Sequence, residues 1–419
     1  MQRLFLIFIL LLLPSALTAQ EQERPVVRVV TTPFVLPAKF AALQAWAGDA
    51  GYRLEWRYVG EDAPTGQGDP AEGADMLVLD GPRPGDIAAV KEAFGPLDAK
   101  SVPWISVGGG PPGFGNLSAP VARRLIGYYA GGGAANLRNF VAAVPLAIAG
   151  QGLDSLPPPQ AMPQTGFYHP DAPQLFASPE DYRDWIAARG WRGRPIAAFA
   201  ISDGVVRDMQ TGVVDALAHS LAERGLVPAF FWYDRRDKQA ITHMIRPLDA
   251  QALVNFTHMQ DGDARKAEFE ALDIPVLQAL GDRSASVAEW REVDSGVPGM
   301  SSSVMITIPE TWGVSDPIVM SAVEDGMPVP IPEQVELLSG KLAKLIALRS
   351  KSAQDKRLAL FFWNYPVGEK NLAASNLNLP RSLEKLSQDL AQAGYDVAPE
   401  NEQRIIEAGQ AMLGGFYRP

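Results

Sequence analysis

The 419-residue sequence has no cysteine, which removes disulfide staples, thiolate metal sites, cysteine nucleophiles and lipid-modified N-terminal cysteines together. Histidine is nearly as scarce. The four present, His169, His219, His243 and His258, never take an HxxxH or HExxH spacing that would put two imidazoles on one helical face, so a bound metal would rest on lone histidines with Asp or Glu. Positive charge is also short: 37 Lys and Arg face 48 Asp and Glu, a net charge of -11, with no basic stripe, which argues against a nucleic-acid partner. The apolar run Leu4–Leu13 is about half the ~20 residues a membrane-spanning helix needs.

That run has another reading. MQRLFLIFILLLLPSALTAQEQERP places one basic residue, an apolar stretch, a Pro14 break and small residues up to Ala19 in the order of a secretory signal peptide. Residues 1–19 are therefore expected to be removed and the mature chain exported to the periplasm, without a stable membrane span. An uncleaved anchor is the alternative, and it also leaves the body outside the cytoplasm.

With 47% hydrophobic and 20% charged residues, the remainder is large enough for two or three domains with proper cores. Residues 20–152 read as an N-terminal α/β domain, with strands at Val26–Thr32, Tyr52–Val59, Asp75–Leu79 and Val102–Val107 and helices at Ala38–Ala50, Ala119–Tyr129 and Ala135–Ala149. Gly108–Gly115 spells GxGxxG, but Pro111 and Pro112 spoil the turn into a helix that a dinucleotide fingerprint needs, so it reads as a glycine-rich surface loop. Residues 153–193 read as an irregular Pro-rich linker. A central α/β domain over 194–352 is expected to hold strands at Pro195–Ile201, Val227–Tyr233, Ala252–Phe256, Ile274–Leu280 and Met305–Ile308. Residues 353–419 begin a third α/β domain with strands at Arg357–Trp363 and Tyr395–Val397, apparently incomplete because two strands cannot bury their own faces. The fold class is thus multi-domain α/β, with flavodoxin-like or periplasmic-binding-like parallel sheets flanked by helices. The stretch Ala252–Leu280 is its centre: Thr257, His258, Gln260 and Asp261 follow a strand's carboxyl end, where open α/β sheets bind ligands.

Several stretches together carry a resemblance: YYAGGGAANLRNF (Tyr128–Phe140), GFYHP (Gly166–Pro170), ALVNFTHM (Ala252–Met259), LDIPVLQAL (Leu272–Leu280), IPE (Ile308–Glu310), FFWNYPVGEKN (Phe361–Asn371) and LNLPRSLEKLSQDLAQAGYDV (Leu377–Val397). In this order and spacing the chain, from about Leu125 onward, resembles the large subunits of cobaltochelatase and magnesium chelatase, which insert a metal ion into a tetrapyrrole. The resemblance implies binding of a corrin or porphyrin precursor, with Co or Mg as the substrate metal and ATP entering only through partner ATPase subunits. Such subunits continue well beyond YRP, so the chain is expected to be truncated, and the histidine and glutamate thought to handle the metal and the pyrrole protons lie in that further part. No catalytic residue is carried across. An exported member without ATP is expected to capture or hold its ring; the alternative is a non-catalytic periplasmic binding protein for tetrapyrroles or metal chelates, serving salvage.

Metal insertion displaces two pyrrole protons, so a base and a weak ligand should face the ring. His258 and Glu310 are the candidates, each expected just past a strand end of one sheet; the alternative is a loop histidine and a turn cap. His169 could touch ligand or be structural. Asn364, Tyr365 and Asn371, with Glu369 and Lys370, form a polar loop suited to ring carboxylates or amides, or else simply shape the chain.

Overall fold

Strand β1 (Val26–Thr31) is buried at every position, as a strand covered on both faces must be. It lies inside the first sheet, in order β2-β1-β3-β4-β5, where β2 is Arg53–Tyr58, β3 Met76–Asp80, β4 Trp104–Val107 and β5 Gly113–Gly115. All pairings are parallel except β4 with β5. Even Arg28 of β1 is buried, held by Glu55 of β2 at 2.9 Å. The computed structural model describes residues 24–60, 69–96, 101–294, 297, 302–362, 365, 372 and 374–417.

The second sheet runs β12-β11-β10-β9-β7-β8-β6. Its parallel centre is β7 (Ile196–Ala200), β8 (Val227–Trp232), β9 (Ala252–Asn255), β10 (Val276–Gly281) and β11 (Ser315–Glu324). Antiparallel edges are added by β6 (Gly166–Tyr168) and β12 (Met327–Pro330). The helices packed around the two sheets include α1 (Ala38–Asp49), α2 (Pro84–Phe94), α3 (Ala119–Gly131), α4 (Gly133–Ile148), α5 (Pro179–Ala188), α6 (Asp203–Arg207), α7 (Gly212–Glu223), α8 (Ala240–Ile245) and α9 (Gly262–Leu272). No described helix is long and apolar enough to cross a membrane.

By contact density the chain divides at Gly340/Lys341, inside helix Pro332–Ser350, so both sheets share one compact unit. Within the second unit, helices Leu379–Gln392 and Glu402–Tyr417 are tied by Glu402 N–H donating to Glu384 at 2.9 Å and Glu400 N–H to Ser387 Oγ at 3.0 Å.

Three expectations need correction. Residues 153–193 are no mere linker: β6 pairs with β8, and Ser178 caps α5 by accepting the Asp181 N–H, with Pro179 pre-set at the first turn. Met305–Ile308 is not a strand, because Ser303–Thr307 is a π-helical turn running into a helical turn at Ile308–Glu310. The apolar run 357–362 finds no strand partner among the described residues and leaves Leu358, Leu360 and Phe361 exposed; 395–397 likewise carries no strand. Gly108–Gly115 is the glycine-rich surface loop expected, exposed or half-buried throughout and leading into β5, and its start is tightly packed: a Cβ on Gly108 would lie 2.5 Å from the Gly81 carbonyl oxygen.

The triple glycine of the α3–α4 junction has an equally specific cause. Gly132 sits at φ 60°, ψ -169°, a region essentially closed to side chains, and an added Cβ would overlap Cγ and the carbonyl of Arg207 in α6. Gly133, at φ 71°, meets nothing within 4 Å. Gly132→Ala is expected to cost roughly 1–3 kcal/mol from backbone strain, and more from the clash with Arg207. Gly133→Ala should cost only the strain; equal losses of urea midpoint for the two variants would contradict this account.

Candidate functional site

In an open parallel sheet, ligands bind beyond the carboxyl ends of the strands, where consecutive connections leave in opposite directions. Here the first sheet reverses between β1 and β3, and the second between β7 and β9. One cavity of about 440 Å³ lies over both points. Phe34, Val35 and Leu36 follow β1, Asp80 and Pro82 end β3, Ile201 and Ser202 follow β7, and Phe256 follows β9. Leu280–Arg283 of the β10 end and Ser321 and Val323 of β11 close another side. This volume falls within the range of about 300–1,000 Å³ typical of small-molecule sites. Its walls are mostly apolar, while its acids are Asp80, Asp208 and Asp282.

A buried charge cluster ties these walls together. Lys39, 4% exposed, lies in the first turn of α1, where the helix dipole disfavours a cation. Two carboxylates offset that cost: Lys39 Nζ is 3.2 Å from Asp80 and 3.5 Å from Asp208, which follows α6 in the second sheet's half. The ammonium also sits 3.9 Å from the centre of the Tyr129 ring, and Tyr129 Oη donates to Asp80 Oδ2 at 2.9 Å. Burial and then the charge of Asp80 push the Tyr129 phenol well above its ordinary range, so it serves as a fixed donor. Burial also raises the Asp208 carboxyl, against the opposing pull of Lys39.

The ALVNFTHM and LDIPVLQAL segments form the neighbouring floor. Asn255 and Gln278 face each other across β9 and β10, and Asn255 Nδ2 donates to Gln278 Oε1 at 2.8 Å and to the Thr257 carbonyl at 2.8 Å. In return Asn255 Oδ1 accepts the Thr257 N–H and hydroxyl at 2.9 and 2.8 Å. This satisfied buried network fixes the turn that delivers Phe256 to the cavity. A second hollow of about 540 Å³ shares Phe34, Leu36 and Arg283 with the first and extends to Arg83, whose guanidinium stacks on Phe34 at 3.8 Å and pairs with Asp86.

The residues singled out from sequence fall elsewhere. His258 is exposed in the loop after β9, and Glu310 is exposed in the helical turn, so their expected meeting at neighbouring strand ends has no second strand to support it. Neither lines the main cavity. Tyr365, in the second unit, is 56% exposed and bridges Ala374. Asn364 and Asn371, like Trp363, Glu369 and Lys370, lie outside the described residues. Among the described residues no group of three or more His, Asp or Glu is placed to hold a metal ion. Lys39, Asp80, Tyr129 and Asp208 were not singled out, although Asp80 ends the apolar strand MLVLD at a switch point and carried a readable signal.

His169 has a structural setting. It is 3% exposed, its ring lies 4.7 Å from that of Trp185 and 5.5 Å from that of Trp191, and Nδ1 accepts the Asp171 N–H at 3.1 Å. The proton therefore belongs on Nε2, which is buried without a partner among the described residues. Burial pulls the imidazole from its ordinary value down to about 4. Because the fold favours the neutral ring, its contribution is complete above about pH 6.5 and is lost as pH falls toward 4, on the order of 3 kcal/mol. His169→Phe, which keeps an aromatic ring there, is expected to flatten the stability–pH curve across that window in urea titrations. A variant as acid-sensitive as the parent would sink the assignment.

Comparison with known proteins gives the cleft a family context. The family model described as CobN/Magnesium Chelatase matches residues 126–412. A magnesium-chelatase subunit of Chlorobaculum parvum is 25% identical over 264 residues, covering 59% of this chain and 21% of that protein. The chloroplastic magnesium-chelatase subunit ChlH of Oryza sativa subsp. indica is 24% identical over 309 residues, 67% of this chain and 22% of its own length. The chain thus spans about a fifth of the length of these curated relatives. Among solved structures, the catalytic subunit of cobaltochelatase from Mycobacterium tuberculosis shares the fold, with a TM-score of 0.64, 21% identity, and coverage of 89% of this chain and 31% of that one. Because the family model covers well over half of its residues, the chain belongs to the CobN/Magnesium Chelatase family.

Proposed function

We propose that this chain takes up a tetrapyrrole, a corrin or porphyrin precursor, in the cleft over its two sheets and presents it for insertion or handling of Co²⁺ or Mg²⁺. The observation that carries this reading is a mostly apolar cavity lined by three carboxylates, Asp80, Asp208 and Asp282. Apolar walls suit a macrocycle, and insertion exchanges two pyrrole protons for a divalent substrate metal, so acceptors must face the ring. ATP, if used, enters through partner ATPase subunits; the Gly108 backbone is already committed to packing on Gly81.

The reading extends to location. The N-terminal pattern ending at Ala19 favours export, and the periplasm offers no comparable ATP supply, so capture and holding of the ring fits this chain better than ATP-driven insertion. N-terminal sequencing of chain recovered from a periplasmic fraction is expected to start at Gln20; recovery only from the cytosol would remove this part of the proposal. A purely binding role in salvage is the second reading, favoured by the placement of the cavity across two sheets.

Titration of the mature chain with hydrogenobyrinic acid diamide and with protoporphyrin, followed by absorbance with and without Co²⁺, tests the function. A saturable shift at one ring per chain is expected. Metal entering many rings per chain would favour the enzyme over the binder, and no shift with either ring would overturn both readings.

A further inference from the structure

Asp80 and Asp208 share Lys39 but are differently employed. Asp80 is 6% exposed, and its Oδ2 is taken by both Tyr129 and Lys39. Asp208 has a side chain 30% exposed, borders the cavity, and meets Lys39 through Oδ1 at the longer distance of 3.5 Å. A carboxylate offers about four acceptor positions. Asp208 therefore keeps acceptor capacity toward a space walled by Val205, Val213, Phe256 and Leu280.

We propose that Asp208 is the specificity-determining residue of the cleft, accepting a hydrogen bond from the inner N–H groups of a metal-free ring and so distinguishing it from a metallated ring that has none. This rests on the tetrapyrrole reading above. A charged acceptor in apolar surroundings rewards a matching donor and penalises a ligand that leaves it desolvated and unpaired. Lys39 acts through Asp208 as a positioning residue. The groups around Asp208 are Lys39 of α1, Asp80 of β3, Tyr129 of α3 and, beside it in the chain, Arg207, which pairs with Asp203, while Asp282 and Arg283 at the β10 end line the same cavity. Burial raises the Asp208 carboxyl, Lys39 opposes this, Asp80 adds to it and Arg207 opposes it, with a net upward shift. Acidification should therefore erase the discrimination, since a protonated carboxyl loses its charge.

The test compares one porphyrin as its free base and as its Ni²⁺ complex, four-coordinate nickel being a poor acceptor of an axial carboxylate. Calorimetric affinities at pH 8 are expected to favour the free base by about tenfold or more, the size of one charge-assisted hydrogen bond. The ratio should approach one in Asp208→Val and fall several-fold in Asp208→Asn. It should also decline in the unaltered chain as the solution is acidified until the Asp208 carboxyl is protonated, which decides the matter if the variants fail to fold. Equal affinities for the two rings at pH 8, or a ratio indifferent to both substitution and pH, would overturn this inference and leave ring capture standing. Failure of both rings to bind would overturn both.

Discussion

A buried ammonium cannot be left alone, and in this protein that constraint joins two sheets. Lys39 is withdrawn from water in the first turn of a helix whose dipole opposes it. Its stabilisation comes from one carboxylate of its own half and one from the other. Replacing such a cluster with packed hydrocarbon is often neutral or favourable for stability, so its presence here argues for a local rule broken at a functional place. The same bridge joins the two strand-end surfaces that border the cavity. Gly132 serves the same junction by letting the α3–α4 turn approach Arg207, one residue before Asp208.

Much of the scaffold was legible because parallel strands buried on both faces are written as unbroken apolar runs. VVRVVT, MLVLD, IAAFA and ALVN each became strands where their composition placed them. The β11–β12 hairpin was missed although it carries its own mark: Asp325 and Gly326, both at positive φ, form the turn that DG between apolar stretches announces. Met305–Ile308 differs from its expected strand for the opposite reason. Its β-branched content suits a strand, yet the chain winds through it as a π turn, a tertiary outcome that local preference does not contain.

The site was less legible than the scaffold. Switch-point reasoning leads to Asp80 and to the turn after Asn255, since both are fixed by strand order. It does not lead to Lys39 or Asp208, which are 169 positions apart and meet only because two sheets share one unit. Histidines drew attention by their rarity, but His169 is enclosed by tryptophans and His258 stands in solvent. Chemistry-bearing residue types are poor guides to a cavity whose charged groups are ordinary aspartates made unusual by their surroundings.

The apolar run over 358–362 bears on how the protein behaves in concentrated solution. Phe361 is 92% exposed, and Leu358 and Leu360 are each 57% exposed, in a proline-free, mostly apolar segment. Exposed apolar segments of this kind favour self-association unless flanking charges oppose it. Asp355, Lys356 and Arg357 stand immediately before it, a cluster of gatekeeper charges at the place where one copy would begin to zip onto another.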